Sequence, residues 1–219
     1  NVTTINLVDT VVPSILSIDS SKNYTLGGIG AISSTASLEK KGTGTLTLSS
    51  ANNFTGGTTI QAGTLAISHA GALGAGTVTL SGGTWATGAL APLNPVVVSA
   101  DSTISGGNSG GAHGIKAVSG AGVLTLNATS AFDLEGSLSS FTGRIVLSGV
   151  GSFRLNGSSG SSAADFHLGS RSLAARNGGT YSFGSLTGLT NSSLSITTYT
   201  GAVTFSIGGN NKSTTFSGV

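Results

Sequence analysis

The sequence predicts an all-β fold in which short strands wind into a solenoid, and three observations support this prediction. Residues 41–68 contain three short runs of alternating apolar and small polar residues, each introduced by Gly-Thr. Glycine occurs 36 times, and charged residues make up 7% of the chain, against about 25% in an ordinary soluble domain. Hydrophobic residues in ordered alternation make up 37%, which argues against a disordered linker. Strands, tight corners and no intervening helix are typical of stacked coils.

Three strands are predicted in this stretch, at 44–48, 57–60 and 63–67. A period of two puts the threonines on one face of each strand and the apolar residues on the other. The residues expected to face the core are Leu46, Leu48, Leu65 and Ile67. A glycine before each run permits the corner that redirects the chain.

The same stretch carries a family resemblance. Residues 41–48 read Lys-Gly-Thr-Gly-Thr-Leu-Thr-Leu, followed by Ser-Ser-Ala-Asn-Asn-Phe-Thr-Gly-Gly-Thr-Thr, and residues 76–84 continue the pattern. This sequence resembles the autotransporter-associated β-strand repeat of exported bacterial proteins, with a weaker copy at 120–155 and the start of another at 214–219. The resemblance implies a right-handed parallel β-helix and a secreted or cell-surface protein.

The length fits one elongated domain. At ~20 residues per coil, 219 residues make about ten coils, each of which borrows its core from its neighbours. We therefore expect residues 1–219 to form a single β-helix domain, excised from a longer multidomain protein.

Charge and composition argue against several functional classes. The net charge is +2 and the nine Lys and Arg residues are scattered, whereas nucleic-acid binding needs a stripe of cations. No run of about 18 apolar residues exists, so no membrane insertion is predicted. Without cysteine there is no disulfide and no thiolate metal site, and the three histidines are widely separated. We expect no cofactor; calcium bound by Asp133 and Glu135 is possible but unsupported.

Four charged residues are candidates for one outer wall. In Phe132-Asp-Leu-Glu135 the alternation directs Asp133 and Glu135 outward, and the same argument applies to Arg144 and Arg154. Three interpretations stay open for this patch. It is a surface ion-pair ladder, a sugar-binding patch, or a hydrolytic or lyase site, although the last would need more carboxylates.

A second candidate site lies where the sequence departs most from the repeat, at 86–114. Such departures in solenoids are usually loops on one face, often the binding face, and a groove formed by Trp85, Asp101 and His113 is expected there. Trp85 aligns with Leu65, so it lies either in the core or on a stacking platform. The Gly-x-Ser-x-Gly pattern at 107–111 is interpreted as a flexible glycine loop.

Two tyrosines complete the candidate binding residues. Tyr181 and Phe183 are two residues apart, so alternation places them on the same face of a strand. The Tyr181 ring is expected to stack inside the solenoid, with its hydroxyl able to reach water. Tyr199 has the opposite parity to Leu194 and precedes Gly201, so it is the best candidate for an exposed ring.

The preferred function is a non-catalytic carbohydrate-binding module, because the chain resembles β-helical xylan-binding modules in architecture and repeat style. It would hold a covalently linked, secreted catalytic domain on a plant cell-wall polysaccharide, with xylan as the best guess. The alternatives are a structural or adhesive stalk of an autotransporter-like surface passenger, and a polysaccharide lyase or hydrolase. A stalk should display Ser, Thr and Asn ladders with all rings inward, and a binding module should display a linear patch of exposed rings.

Overall fold

A computed structural model describes residues 2–107, 114–156, 160–197 and 201–219. These residues form β-strands and no helix. The strands are β1 (Val2–Leu7), β2 (Ile15–Asp19), β3 (Asn23–Gly28), β4 (Ser37–Lys41), β5 (Thr45–Leu48), β6 (Thr58–Ile60), β7 (Thr64–Ile67), β8 (Val78–Leu80), β9 (Thr84–Gly88), β10 (Val96–Val98), β11 (Ser102–Gly106), β12 (Gly114–Ile115), β13 (Val118–Gly120), β14 (Val123–Ala128), β15 (Phe132–Leu134), β16 (Arg144–Gly149), β17 (Phe153–Leu155), β18 (Gly160–His167), β19 (Ser172–Ala175), β20 (Gly179–Thr187), β21 (Ser193–Ile196) and β22 (Val203–Ile207).

The strands stack in three parallel sheets. The long sheet has eleven strands, in the order β1-β3-β5-β7-β9-β11-β14-β16-β18-β20-β22. The first short sheet (β2, β4, β6, β8, β10, β13) accompanies its N-terminal half, and the second short sheet (β12, β15, β17, β19, β21) its C-terminal half. Val78 pairs with Val96 and Gly179 with Val203, so one coil takes between 18 and 24 residues. The predicted parallel β-solenoid of about ten coils is confirmed.

The core consists of rows of apolar side chains that run from coil to coil. Within the long sheet one row continues through every coil from β5 to β16, and all of its members are buried. It comprises Leu46, Leu65, Trp85, Ile104, Leu126 and Leu147. The inward positions predicted for the first three strands are confirmed, since alternation places their apolar residues against those of the next coil.

The opposite face of the same strands carries two rows of small, uncharged side chains, which we call the threonine face. The first row is Thr45, Thr64, Thr84, Thr103 and Thr125. The second row is Thr47, Ala66, Ala86, Ser105 and Asn127. All ten are partly exposed, because each alternates with a buried neighbour. Parallel pairing in strict register thus builds a flat outer surface from the Gly-Thr runs.

In the segment 86–114, where the sequence departs most from the repeat, the strands of the coil change from one short sheet to the other. Two strands occur inside it, β10 and β11, so the expectation of loops holds only in part. At its end the second short sheet begins with β12, and the first short sheet ends with β13. The second strand of each coil therefore moves to another side of the solenoid at this point.

A buried lysine closes the corner between β4 and β5. Lys40 is only 1% exposed, and its Nζ donates to the carbonyl oxygens of Lys41 (2.6 Å), Gly42 (2.7 Å) and Ala62 (3.1 Å). Burial lowers the pKa of Lys40, partly offset by the charge of Asp19. An ammonium has three donors, and here each has an acceptor.

We expect Lys40→Met to lower the free energy of unfolding by about 1 to 3 kcal/mol, because three corner carbonyls lose their shared donor. Chemical denaturation followed by circular dichroism measures the loss. Lys41→Met is the matched control, since Lys41 is partly exposed and its Nζ pairs with Glu39 at the surface. An equal loss in both variants would contradict the role of Lys40.

Candidate functional site

Two of the three aromatic residues predicted to bind a ligand, Trp85 and Tyr181, are buried. Trp85 is 0% exposed and pairs with Leu65 and Ile104, so it takes the core position that its alignment with Leu65 indicated. Tyr181 is also buried, as its shared parity with Phe183 predicted, and its hydroxyl donates to the Asn177 carbonyl at 2.7 Å. Neither ring is available for stacking on a ligand.

Asp101 is the other member of the expected groove that lies among the described residues. Asp101 is exposed at the start of β11, and its Oδ1 accepts the backbone N–H of Val123 in the next coil at 3.1 Å. Asp101 therefore caps a strand. His113 and Tyr199 lie outside the described residues, as does most of the glycine loop at 107–111.

The four charged candidates lie on two walls. Asp133 and Arg154 pair in adjacent strands of the second short sheet, as predicted, but Arg144 lies on the long sheet. Asp133 is 0% exposed, which contradicts the expected outward, solvated carboxylate. It is buried because cationic and amide side chains from the following coils bind it. They are Arg154, whose Nε donates to Oδ1, Asn156, whose Nδ2 donates to Oδ2 at 3.2 Å, and Arg176, whose Nη1 lies 3.7 Å from Oδ2.

Glu135 has a different partner from the one expected. It forms an ion pair with Lys116 of the preceding coil. Sequence reasoning missed Lys116 and Arg176, although a signal was present. Glu135 follows Lys116 at the spacing of one coil. The same spacing separates Asp133 from Arg154 and Arg154 from Arg176, so aligning the charged residues coil by coil would have brought these partners together.

A concave site lies on the long sheet, around Arg144. It is a cleft of about 280 Å³. Its lining residues are Arg144, Asp165, His167, Ser185, Thr187, Lys212 and Thr214. We call it the Asp165 cleft. The cleft continues the threonine face along the long sheet. Thr125 pairs with Val146, Val146 pairs with His167, and His167 pairs with Thr187.

Two irregularities of the chain produce the cleft. Between the pairs Ser161–Phe183 and Asp165–Ser185 the register shifts, so residues 162–164 stand opposite Gly184 alone. After β22 the segment 208–214 leaves the sheet and crosses β20, where Thr214 Oγ1 donates to the Leu186 carbonyl at 2.9 Å. A bulge of this kind bends a strand and redirects its side chains, and bulges are common next to functional sites.

Asp165 is the centre of a hydrogen-bond network. Its Oδ1 accepts Ser185 Oγ at 2.7 Å and Asn210 Nδ2 at 2.8 Å, and its Oδ2 accepts Lys212 Nζ at 2.8 Å. Desolvation by burial raises the pKa of Asp165, but these hydrogen bonds and the charge of Lys212 outweigh it, so the pKa is lowered. The carboxylate is therefore ionised at neutral pH.

The remaining polar groups of the cleft are cations and hydroxyls. Arg144 Nη2 lies 3.7 Å from Asp165 Oδ2, beyond hydrogen-bond distance, and His167 Nδ1 is hydrogen-bonded to Thr187 Oγ1 at 2.7 Å. Asp165 is the only acid among the described residues that line the cleft. Across the described parts of the chain, no three His, Asp or Glu side chains are grouped as metal ligands.

Comparison with known proteins identifies the repeat. Residues 38–67, which include the buried Lys40 corner and the first strands of the threonine face, match the Passenger-associated-transport-repeat family. The predicted repeat is therefore confirmed. The match covers β4 to β7, the two coils whose strands were predicted from the Gly-Thr runs.

A curated relative extends the likeness. The chain is 34% identical over 143 residues to a protein described as "Adhesin BmaC autotransporter" from Brucella suis biovar 1 (strain 1330). The aligned part is 57% of this chain and 4% of the length of the relative. No solved structure matches the chain. The repeat and the relative indicate a secreted or cell-surface bacterial protein, as the sequence predicted.

These matches correct the functional prediction. The interpretation as a carbohydrate-binding module for xylan or another plant cell-wall glycan is wrong, because the repeat and the relative point to an autotransporter adhesin passenger. The expected partners, a polysaccharide and a linked catalytic domain, are wrong for the same reason. A likeness to an adhesin passenger suggests a non-enzymatic role for this chain. No helix among the described residues is long and apolar enough to span a membrane.

Proposed function

We propose that this chain is an adhesive stalk segment of a bacterial autotransporter passenger. The observation that carries the proposal is the threonine face, which lies over a core that contains Trp85 and six fully buried phenylalanines: Phe54, Phe132, Phe141, Phe153, Phe166 and Phe183. A stalk needs ladders of small polar side chains outside and rings inside, which is the arrangement seen here. The repeat at 38–67 and the adhesin relative support the same proposal.

The geometry suits projection from a surface. Parallel strands stack about 4.8 Å apart, so the eleven strands of the long sheet span roughly 50 Å. Each coil contacts mainly its neighbouring coils. Adding coils therefore lengthens the solenoid without changing its cross-section. The flat outer faces supply a long surface for contacts with a partner.

Adherence of the isolated chain tests the proposal. Fluorescent beads coated with the folded chain are expected to adhere to cultured host cells above beads coated with albumin, and the same chain coupled after denaturation should not adhere. An antibody against a terminal tag equalises the coating density. Equal adherence of folded-chain and albumin beads would contradict an adhesive role for this segment.

A further inference from the structure

The Asp165 cleft differs from the rest of the long sheet in charge as well as in shape. The threonine face has no charged side chain, in a chain with only 7% charged residues. The cleft nevertheless gathers Arg144, Asp165 and Lys212 beside the imidazole of His167. Two cations and one carboxylate leave one excess positive charge in the cleft.

The two cations are accessible. The side chain of Arg144 is 56% exposed and that of Lys212 is 57% exposed, whereas that of Asp165 is only 14% exposed. Asp165 is already bound by Ser185 and Asn210, which are neutral donors. The Asp165 carboxylate is therefore a largely buried acceptor for the surrounding donors, while the two cations are exposed to solvent.

The two cations are also close enough to act on one group. Arg144 Nη2 and Lys212 Nζ lie 3.7 Å and 2.8 Å from the same atom, Asp165 Oδ2. A carboxylate can therefore reach both at once. An arginine fork binds a carboxylate in a bidentate manner, and a lysine ammonium has three donors, of which Asp165 takes one.

We propose that the Asp165 cleft binds the carboxylate of an acidic side chain from a partner protein, between Arg144 and Lys212. A volume of about 280 Å³ falls just below the range of about 300 to 1,000 Å³ typical of small-molecule pockets, so it suits one side chain. The hydroxyls of Thr187 and Thr214 line the same cleft, and the adjoining threonine face offers an uncharged surface to the flanking residues. The choice of a protein partner rests on the proposed adhesive function, whereas carboxylate binding by the cleft does not.

The test uses the isolated 219-residue chain and capped tripeptides. Acetyl-Gly-Glu-Gly-amide is titrated into the labelled protein and followed by NMR, with acetyl-Gly-Gln-Gly-amide as the neutral match. We expect saturable shifts of the backbone amides of His167, Ser185 and Thr187 by the glutamate peptide alone. A dissociation constant of roughly millimolar order is expected, because partly exposed ion pairs contribute little each.

Charge variants locate the site. Arg144→Gln and Lys212→Gln are each expected to weaken glutamate-peptide binding by about twofold to fivefold, because each removes one partly exposed ion pair. Lys22→Gln is the matched control, since Lys22 is exposed and lies far along the chain from the cleft. Arg144→Gln is the cleaner variant, because Arg144 makes no hydrogen bond to Asp165.

Three results would overturn the proposal. The first is equal binding of the glutamine peptide, and the second is an equal loss in Lys22→Gln. The third is saturation of the cleft by glucuronate but not by the glutamate peptide, which would assign the site to acidic sugars. Failure of coated beads to adhere, with the glutamate peptide still bound, would contradict the adhesive stalk and leave the carboxylate site standing.

Discussion

Replacing Trp85 with alanine is expected to lower the free energy of unfolding by about 3 to 5 kcal/mol, the usual cost of removing a large buried aromatic side chain. Trp85 is 0% exposed and lies in the row between Leu65 and Ile104, so the cavity would border two neighbouring coils. In a solenoid each coil is stabilised by its neighbours, so the loss weakens both interfaces at once. Urea denaturation of the purified chain, followed by far-UV circular dichroism, measures the effect.

Trp85→Phe separates packing from hydrogen bonding. Trp85 Nε1 has no hydrogen-bond acceptor among the described residues, so phenylalanine loses ring volume but no hydrogen bond. We expect a clearly smaller loss than in Trp85→Ala. Thr84→Ala is the surface control at the adjacent, outward position, where little change is expected. Comparable losses in Trp85→Ala and Thr84→Ala would show that the tryptophan is not a packed core residue.

The sequence predicts the core well because two periodicities coincide. Alternation along each strand placed Leu46 and Leu65 inside, and the alignment of one coil on the next gave the core as one of two alternatives for Trp85. Both arguments depend only on short-range geometry, a period of two along the strand and one coil between strands. They hold wherever the Gly-Thr runs recur.

The same arguments fail where a side chain is covered by residues from other coils. Alternation gives the direction of Asp133 but not its burial, which depends on Arg154 and Asn156 lying over it. The Asp165 cleft was missed for a related reason. Three residues at 162–164 stand opposite one, and Lys212 reaches Asp165 from the segment after β22. Neither the bulge nor the crossing follows from a regular repeat.

The functional error has a physical origin as well. Exposed rings were the feature that favoured sugar binding, and Trp85 and Tyr181 are in the core. Arg154 was assigned to an outward charged patch, yet Arg154 and Arg176 both pair with the buried Asp133. In a chain with few charges, charged residues that recur at the spacing of one coil are first explained by pairing with one another.

A second large loss of stability is expected when the buried Asp133 is replaced. We expect Asp133→Ala to lower the free energy of unfolding by about 3 to 5 kcal/mol, because it leaves the guanidinium of Arg154 without its buried counterion. The Arg154 side chain is 21% exposed, so water offsets part of the loss and the lower end of that range is expected. Asp101→Ala is the control, since Asp101 is exposed and binds one backbone N–H.

A double variant distinguishes an uncompensated cation from a simple loss of packing. Replacing a buried ion pair by apolar residues of similar volume is often neutral, whereas removing one partner is costly. Asp133→Leu combined with Arg154→Met should therefore be more stable than Asp133→Ala alone, by an amount that urea denaturation can resolve. If the double variant is less stable than the single one, the pair itself stabilises the solenoid. If Asp133→Ala and Asp101→Ala lose the same small amount, the burial of Asp133 carries no energetic weight.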